Sequence, residues 1–93
     1  VHELPNIYVY QSDVDKINIE FSKIDAYTKI KIYQNGTLKE EKELSKRVYT
    51  YKYDFDSEIT VELIDGLSTK TYTYEPEDLN NEASVINNNY YYI

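Results

Sequence analysis

Apolar and polar residues alternate along most of this chain with a period of two, which is the spacing of a β-strand that buries one face. Residues 16–21 show the pattern most clearly, because Ile17, Ile19 and Phe21 share one face while polar residues occupy the other. A strand of this kind has one side against a core and one side in water. The pattern therefore predicts sheets rather than helices.

Six further segments have the same strand character. Together with residues 16–21, the predicted strands cover residues 6–10, 29–33, 37–44, 47–55, 58–63 and 67–74. The residues expected to face inward are mostly isoleucines and aromatics: Ile30, Ile32, Tyr49, Tyr51, Tyr53, Phe55, Ile59, Val61 and Leu63. Large side chains of these types bury enough apolar area to build the core of a small domain.

Two dipeptides between predicted strands indicate hairpin turns. Asn35-Gly36 and Asp65-Gly66 both tolerate the positive φ angles that tight two-residue turns require. The segment that follows the first turn, residues 37–44, is rich in Lys and Glu and has two interpretations. A charged edge strand is favoured, because the Asn-Gly signal is the stronger one, and a short helix is the alternative.

The character of the chain changes after Pro76. Residues 77–82 are polar and acidic, which is typical of a linker or a loose turn. Residues 85–93 are again strand-prone around an asparagine-rich turn, and they either pair with a free edge or begin a following module. We therefore expect a sandwich domain over residues 1–76, followed by a linker and strand-prone tail over 77–93.

Short strands at regular spacing, separated by turn signals, predict an all-β, antiparallel two-sheet sandwich of six to seven strands. From Asn6 to Pro76 this succession resembles the bacterial immunoglobulin-like and fibronectin type III-like modules of surface and secreted proteins. The chain has neither Cys nor Trp, so the antibody-type subgroup is excluded. The resemblance implies a spacer, adhesion or protein-interaction module within a multidomain bacterial surface, secreted or phage structural protein.

The charge and the apolar content of the chain limit the classes of molecule that can be its partners. A net charge of −7 and a pI near 4.6 disfavour nucleic acid and anionic membranes as partners. No apolar run approaches the roughly 20 residues that span a bilayer, and Val1 to Tyr10 has no signal-peptide pattern. We expect an extracellular or cell-surface location, with an export signal outside this segment, and neighbouring domains of the same protein as the main partners.

The chain has few residues of the types that commonly take part in catalysis. The only histidine is His2, and there is no cysteine nucleophile, so a Ser/His/Asp device would have to bring His2 to a serine. The available serines are Ser12, Ser22, Ser45, Ser57, Ser68 and Ser84. Gly36 and Gly66 are the only glycines, and each serves a turn rather than a phosphate-binding loop. We predict no enzyme activity, no catalytic residue and no cofactor.

Acidic residues raise the possibility of a calcium site. Asp54, Asp56 and Glu58 alternate between two predicted strands, and Asp13 and Asp15 lie in another loop. Carboxylate oxygens suit Ca²⁺, but the spacing does not match an EF-hand loop. The favoured interpretation is that these side chains are solvated, so no metal site is predicted.

Tyrosines support the leading alternative, a carbohydrate-binding module attached to a glycosidase or another cell-wall-active enzyme. The chain has twelve tyrosines, more than a small core can hold. Exposed aromatic rings in a row stack on sugar rings, although exposed tyrosines on sheets also stabilise neighbouring strands. The candidates are Tyr8, Tyr10, Tyr33, Tyr72, Tyr74 and Tyr90 to Tyr92.

Overall fold

The protein is an antiparallel two-sheet sandwich, described by a computed structural model over residues 3–79. Its strands are β1 (Ile7–Asp13), β2 (Lys16–Phe21), β3 (Asp25–Gln34), β4 (Thr37–Leu44), β5 (Val48–Lys52), β6 (Ile59–Asp65) and β7 (Ser68–Tyr74), followed by a helical turn, α1 (Pro76–Leu79). One sheet has the order β1-β2-β5 and the other has the order β4-β3-β6-β7. The predicted all-β sandwich is confirmed.

The core lies between the two sheets and is built from the predicted inward faces. Ile17 and Ile19 of β2 are fully buried and lie opposite Tyr51 and Tyr49 of β5 in the strand register. The other sheet contributes buried residues from its two central strands: Ile30, Ile32, Ile59, Val61 and Leu63. Each such side chain contributes roughly 1.5–3 kcal/mol by leaving water, so the alternation seen in the sequence is the main source of stability.

The first hairpin turn forms as predicted. Gln34 pairs with Thr37, which leaves Asn35 and Gly36 as the two loop residues, and their φ angles are 49° and 81°. Positive φ at both positions is the type I′ pattern, whose twist matches that of the flanking strands. This turn fixes the register between β3 and β4.

The second hairpin turn is displaced by one residue from its predicted place. Asp65 pairs with Ser68 and ends β6, so the two loop residues are Gly66 and Leu67. Only Gly66, with φ 61°, has a positive φ among these two. Glycine at the first loop position is the type II′ pattern, whereas the sequence suggested a turn centred on Asp65-Gly66.

Strand β4 lies at the edge of the four-stranded sheet, so the edge-strand interpretation is confirmed and the short helix is wrong. Its charges pair locally: Lys42 Nζ lies 2.8 Å from Glu40, and Lys29 Nζ of β3 lies 3.7 Å from Glu41. These exposed pairs contribute little stability, but charged side chains discourage foreign strands from adding to the edge.

The predicted strand over residues 47–55 is shorter in the structure, because β5 ends at Lys52. Beyond it, the Tyr53 backbone N–H donates to Asp15 O at 2.9 Å, which keeps Tyr53 beside the residue that precedes β2. Tyr53 is nevertheless buried and packs on Phe55 with ring centroids 4.8 Å apart. Phe55 has a φ of 59°, an uncommon value for a bulky side chain, so this corner holds local strain.

The core continues to Leu79, three residues beyond the predicted domain boundary at Pro76. Leu79 is 2% exposed and belongs to the same cluster of buried residues as Ile17 and Ile19. Asp78 stabilises the helical turn, since its carboxylate accepts the Glu75 N–H at 2.9 Å. The remainder of the predicted tail, residues 80–93, lies outside the described residues.

Candidate functional site

The loops gather at two opposite ends of the sandwich, here named the N-terminal pole and the C-terminal pole. The N-terminal pole comprises residues 3–6, 22–25, 45–47 and 65–68, and the C-terminal pole comprises residues 13–16, 34–37, 52–58 and 75–79. Backbone hydrogen bonds hold the first set together, with Ser22 N to Asn6 O at 2.9 Å and Phe21 N to Arg47 O at 2.7 Å. At the other end, Asn35 N donates to Glu58 O at 2.9 Å.

The C-terminal pole contains an acidic cleft of about 430 Å³. It is lined by Asn35, Asp56, Ser57, Glu58, Glu75 and Pro76. Asn35 shapes one wall, because its side-chain oxygen accepts the Glu58 N–H at 3.1 Å. The cleft is open to solvent, and three of its six lining residues carry carboxylates.

Burial raises the pKa of the Glu75 carboxyl above its ordinary value. A hydrogen bond with the Glu58 side chain and the negative charges of Glu58, Glu77 and Asp78 raise it further. A carboxyl pair of this kind holds a proton more readily than an isolated glutamate does. The carboxylates of the cleft therefore repel one another, and this repulsion decreases when the Glu58–Glu75 pair binds a proton.

The candidate calcium ligands do not converge. Asp56 and Glu58 line the acidic cleft, whereas Asp13 and Asp15 lie beside Lys16, whose Nζ is 3.9 Å and 3.5 Å from their carboxylates. Within residues 3–79 there is no group of three or more His, Cys, Asp or Glu side chains placed to hold a metal ion.

The candidate catalytic serines are dispersed over both poles and bonded to structural partners. Ser22 Oγ accepts the Asn6 N–H at 2.9 Å, Ser45 Oγ lies 3.2 Å from the Tyr49 hydroxyl, and Ser57 Oγ accepts from Gln34 Nε2 at 3.3 Å. Ser12 and Ser68 are exposed. His2 and Ser84 lie outside the described residues, so the predicted absence of a triad stays a prediction.

The candidate sugar-binding tyrosines fall on different surfaces. Tyr8 and Tyr10 lie on the outer face of the three-stranded sheet, and Tyr8 is 74% exposed. Tyr33 lies on the outer face of the other sheet and donates to Glu62 at 3.0 Å. Tyr72 and Tyr74 pack partly against the core, and Tyr90 to Tyr92 lie outside the described residues. The described tyrosines therefore do not form one row.

A chain of hydrogen bonds adjoins Tyr8 on the outer face of the three-stranded sheet. Thr50 Oγ1 donates to Asn18 Oδ1 at 2.9 Å, Asn18 Nδ2 donates to the Tyr10 hydroxyl at 3.4 Å, and that hydroxyl donates to Glu20 at 3.0 Å. Tyr8 lies directly opposite Glu20 in the strand register. This face, with one exposed ring beside fixed polar groups, is the best candidate for ligand contact on either sheet.

Sequence patterns did not indicate the apolar residues exposed at the poles. At the N-terminal pole Ile24 is 54% exposed, Leu67 is fully exposed, and Tyr27 beside this pole is 70% exposed. At the C-terminal pole Val14 is 83% exposed. A hairpin turn ordinarily carries polar residues, so the exposed Leu67 in the Gly66-Leu67 turn is the least expected of these.

Within residues 3–79, no helix has the length and apolar character required to cross a membrane. Comparisons of the chain with protein-family models, curated proteins and solved structures gave no match. The class of the protein is therefore defined by its fold, an all-β antiparallel two-sheet sandwich. Any particular family is a matter of proposal.

Proposed function

We propose that this sandwich is a non-catalytic spacer or protein-interaction module of a larger bacterial surface, secreted or phage structural protein. Its neighbours in that protein would be its main partners, and its location would be extracellular or at the cell surface. The observation that carries the proposal is the position of the first and last described segments. Residues 3–6 lie at one pole and Leu79 lies at the other, across a molecule measuring 40 × 26 × 16 Å.

With its first and last described segments at opposite poles, the sandwich is suited to holding neighbouring domains apart and to carrying tension between them. The force would run along strands that are held side by side by antiparallel ladders, with the core between them. The described interior is filled by side chains of the core cluster, and the cleft at the C-terminal pole is open and acidic. These features support a structural role, because catalysis requires a concave site with converging reactive groups.

The strand order also supports kinship with one of the two module types that the sequence resembles. In a constant-type immunoglobulin sandwich the fourth strand lies beside the fifth. Here β4 pairs with β3, at the edge of the sheet that also contains β6 and β7. This order favours a fibronectin type III-like module over a constant-type immunoglobulin-like one.

Stretching single molecules tests the spacer role. A protein made of three copies of the 93-residue chain in series should unfold in three discrete steps, each adding about 240 Å of contour length for residues 3–79. Discrete steps are expected because the ladders and the core break together. Gradual extension at low force would contradict a role in holding neighbours at a fixed separation.

Carbohydrate binding is the second candidate function, and the exposed ring of Tyr8 favours it. The ring lies beside the fixed polar groups of Glu20, Asn18 and Tyr10, a combination suited to stacking and hydrogen bonding with a sugar. Retention of the protein on insoluble cell-wall polysaccharide, lost in Tyr8→Ala, would support this function. Tyr27→Ala is the matched control, since Tyr27 is 70% exposed against 74% for Tyr8. Equal loss in both variants would argue against a site at Tyr8.

A further inference from the structure

The two edges of the four-stranded sheet differ in their protection against added strands. On β4, five of the eight residues are charged, and its pairing with β3 contains two register shifts. Charges and irregularities of this kind prevent an edge strand from pairing with another chain. On β7, Lys70 is the only charged residue among seven, and the pairing with β6 is regular from end to end. The edge at β7 therefore lacks the protection that β4 has.

The edges of the three-stranded sheet are less suited to accept a strand. Strand β5 has five residues, and the pairing of β1 with β2 shifts register between Gln11 and Asp13. Within residues 3–79, β7 is thus the edge that combines length, regular pairing and low charge. Its free side presents backbone N–H and C=O groups, and no strand in the described part of the chain pairs with them.

The side chains of β7 alternate between the two faces of the sheet. The outer face carries the exposed threonines Thr69, Thr71 and Thr73. The inner face carries Tyr72 and Tyr74, which pack partly against the core, and Lys70, whose Nζ lies 5.7 Å from the centroid of the Tyr72 ring. The strand therefore offers hydroxyl groups on one face and a cation beside an aromatic ring on the other.

From these observations we propose that β7 pairs in the antiparallel direction with β7 of a second copy of the chain, about a two-fold axis at Thr71. Thr71 is the central residue of the strand, so this register pairs all seven residues. It places Thr71 opposite Thr71 of the second copy, and Lys70 opposite the second copy's Tyr72. Main-chain hydrogen bonds along the edge supply the affinity, as in other cases of strand addition.

The register is complementary to itself in side-chain chemistry. Facing threonines form hydrogen bonds across strands, and an ammonium group over a tyrosine ring gains a cation–π interaction. An axis at Lys70 would instead place two ammonium groups directly opposite each other, which is destabilising. The two-fold axis also reverses the direction of the second copy, so the acidic clefts of the two copies lie at opposite ends of the pair.

The assembly closes at two copies. Pairing at β7 joins the two four-stranded sheets into one sheet of eight strands, with the charged strand β4 at both outer edges. Those edges resist further addition, and the contact is isologous because the same strand is used by both copies. The inference goes beyond the proposed spacer function, since it joins two parent proteins side by side and in opposite directions.

Disulfide cross-linking tests the register, because the chain has no cysteine of its own. Thr71→Cys should form a covalent dimer under mild oxidation, since residues that face each other across two strands are close enough for a disulfide. Thr73→Cys is the matched control on the same exposed face. In the proposed register Thr73 faces Thr69, so two Thr73→Cys positions lie about 13 Å apart along the strands, beyond the roughly 7 Å between Cα atoms that a disulfide allows.

A mixture of Thr69→Cys and Thr73→Cys should link one variant to the other, because these positions face each other in the pair. Cross-linking that is equally efficient for Thr71→Cys and Thr73→Cys would come from random collisions and would overturn the proposal.

Sedimentation velocity of the unaltered 93-residue protein should show a dimer that forms with rising concentration and no larger species. The dimer should persist or strengthen between about 0.05 M and about 0.5 M salt, because each copy has a net charge of −7 and salt screens their repulsion. Thr71→Lys should weaken dimerisation by about threefold or more, since it places two lysines opposite each other. Thr37→Lys makes the same change of charge at an exposed position of β4 and should not weaken it.

A protein that stays monomeric at millimolar concentration overturns the proposal, and so does a dimer that dissociates as salt is raised. Amide hydrogen exchange gives an independent measurement, because protection of the β7 amides should increase as the dimer forms. Equal protection at all concentrations would mean that the edge is covered within one copy, and would also overturn the proposal. Any of these failures, combined with discrete unfolding steps under force, would leave the spacer function standing.

Discussion

The hydroxyl of Tyr49 accepts the backbone N–H of Ser45 at 2.9 Å and so joins β5 to the loop that precedes it. The same oxygen accepts the Lys46 N–H at 3.1 Å and donates to Glu43 O at 3.1 Å. Burial raises the pKa of Tyr49, but hydrogen bonds from Ser45 and Lys46 and the charge of Lys42 outweigh it and lower the pKa overall. One phenol thus satisfies two backbone N–H groups of the loop between β4 and β5 and one carbonyl near the end of β4.

Tyr49→Phe should destabilise the protein by about 1–3 kcal/mol, because two backbone donors and one acceptor lose their partner in a half-buried place. Chemical denaturation followed by circular dichroism measures the loss. Tyr51→Phe is the matched control, since its hydroxyl makes a single long bond of 3.5 Å to Gln34 and the change should cost less. Equal losses in the two variants would contradict the role assigned to Tyr49.

Thr28 presents the opposite situation, a buried hydroxyl without a partner. The side chain is fully buried, and its Oγ1 makes no hydrogen bond within the described part of the chain. Thr28→Val keeps the shape and removes the unpaired oxygen, so we expect the free energy of unfolding to rise by about 1 kcal/mol. Thermal unfolding shows the change as a higher Tm.

The control for Thr28 is Thr50→Val on the outer face of the three-stranded sheet. Thr50 Oγ1 donates to Asn18 at 2.9 Å, so the same chemical change there should bring no gain and a small loss. A destabilised Thr28→Val protein would mean that the hydroxyl has a partner in solution.

The alternation of side chains predicted most of the sheet structure because it reflects burial residue by residue. Ile17 and Ile19 are apolar at every second position, and they are fully buried in the fold. Asn35-Gly36 was equally informative, because its turn depends on the conformational freedom of the two residues themselves. Features that depend on the local pattern of residues could therefore be predicted from the sequence.

Features that depend on which loops share an end of the sandwich were not predictable. The period of two places Tyr49 inward, but it cannot show that the loop over residues 45–47 brings backbone N–H groups to its hydroxyl. The collection of carboxylates at the C-terminal pole depends on strand order in the same way. Leu79 is a single apolar residue in an acidic segment, so no periodicity marks it as part of the core.

Leu79→Ala tests whether the helical turn after Pro76 is an integral part of the domain. Leu79 is 2% exposed, so removing its side chain should cost about 2–5 kcal/mol through lost burial and a cavity. Leu67→Ala, at a fully exposed position, should change stability by less than about 0.5 kcal/mol. Unfolding by urea at low protein concentration compares them. A negligible effect at Leu79 would show that the domain does not depend on this turn, in agreement with the boundary predicted at Pro76.

The acidic cleft should make stability depend on pH through Glu75. Burial, the hydrogen bond with Glu58 and nearby carboxylates raise the pKa of Glu75 in the folded protein above its value in the unfolded chain. The folded state therefore binds the proton more tightly, so protonation of Glu75 stabilises the protein as pH falls through the folded pKa, and the ionised form opposes folding at neutral pH.

Glu75→Gln removes the ionised form, so the variant should have a higher Tm than the unaltered protein at about pH 7. The difference should shrink as the pH is lowered toward about 4, because Glu75 of the unaltered protein then takes up its proton. The control is Glu3→Gln, which removes the same charge from the chain. Glu3 is exposed and lies at the opposite pole. A gain in Tm that is the same at both pH values, or the same for Glu3→Gln, would show that total charge rather than the Glu58–Glu75 pair opposes folding.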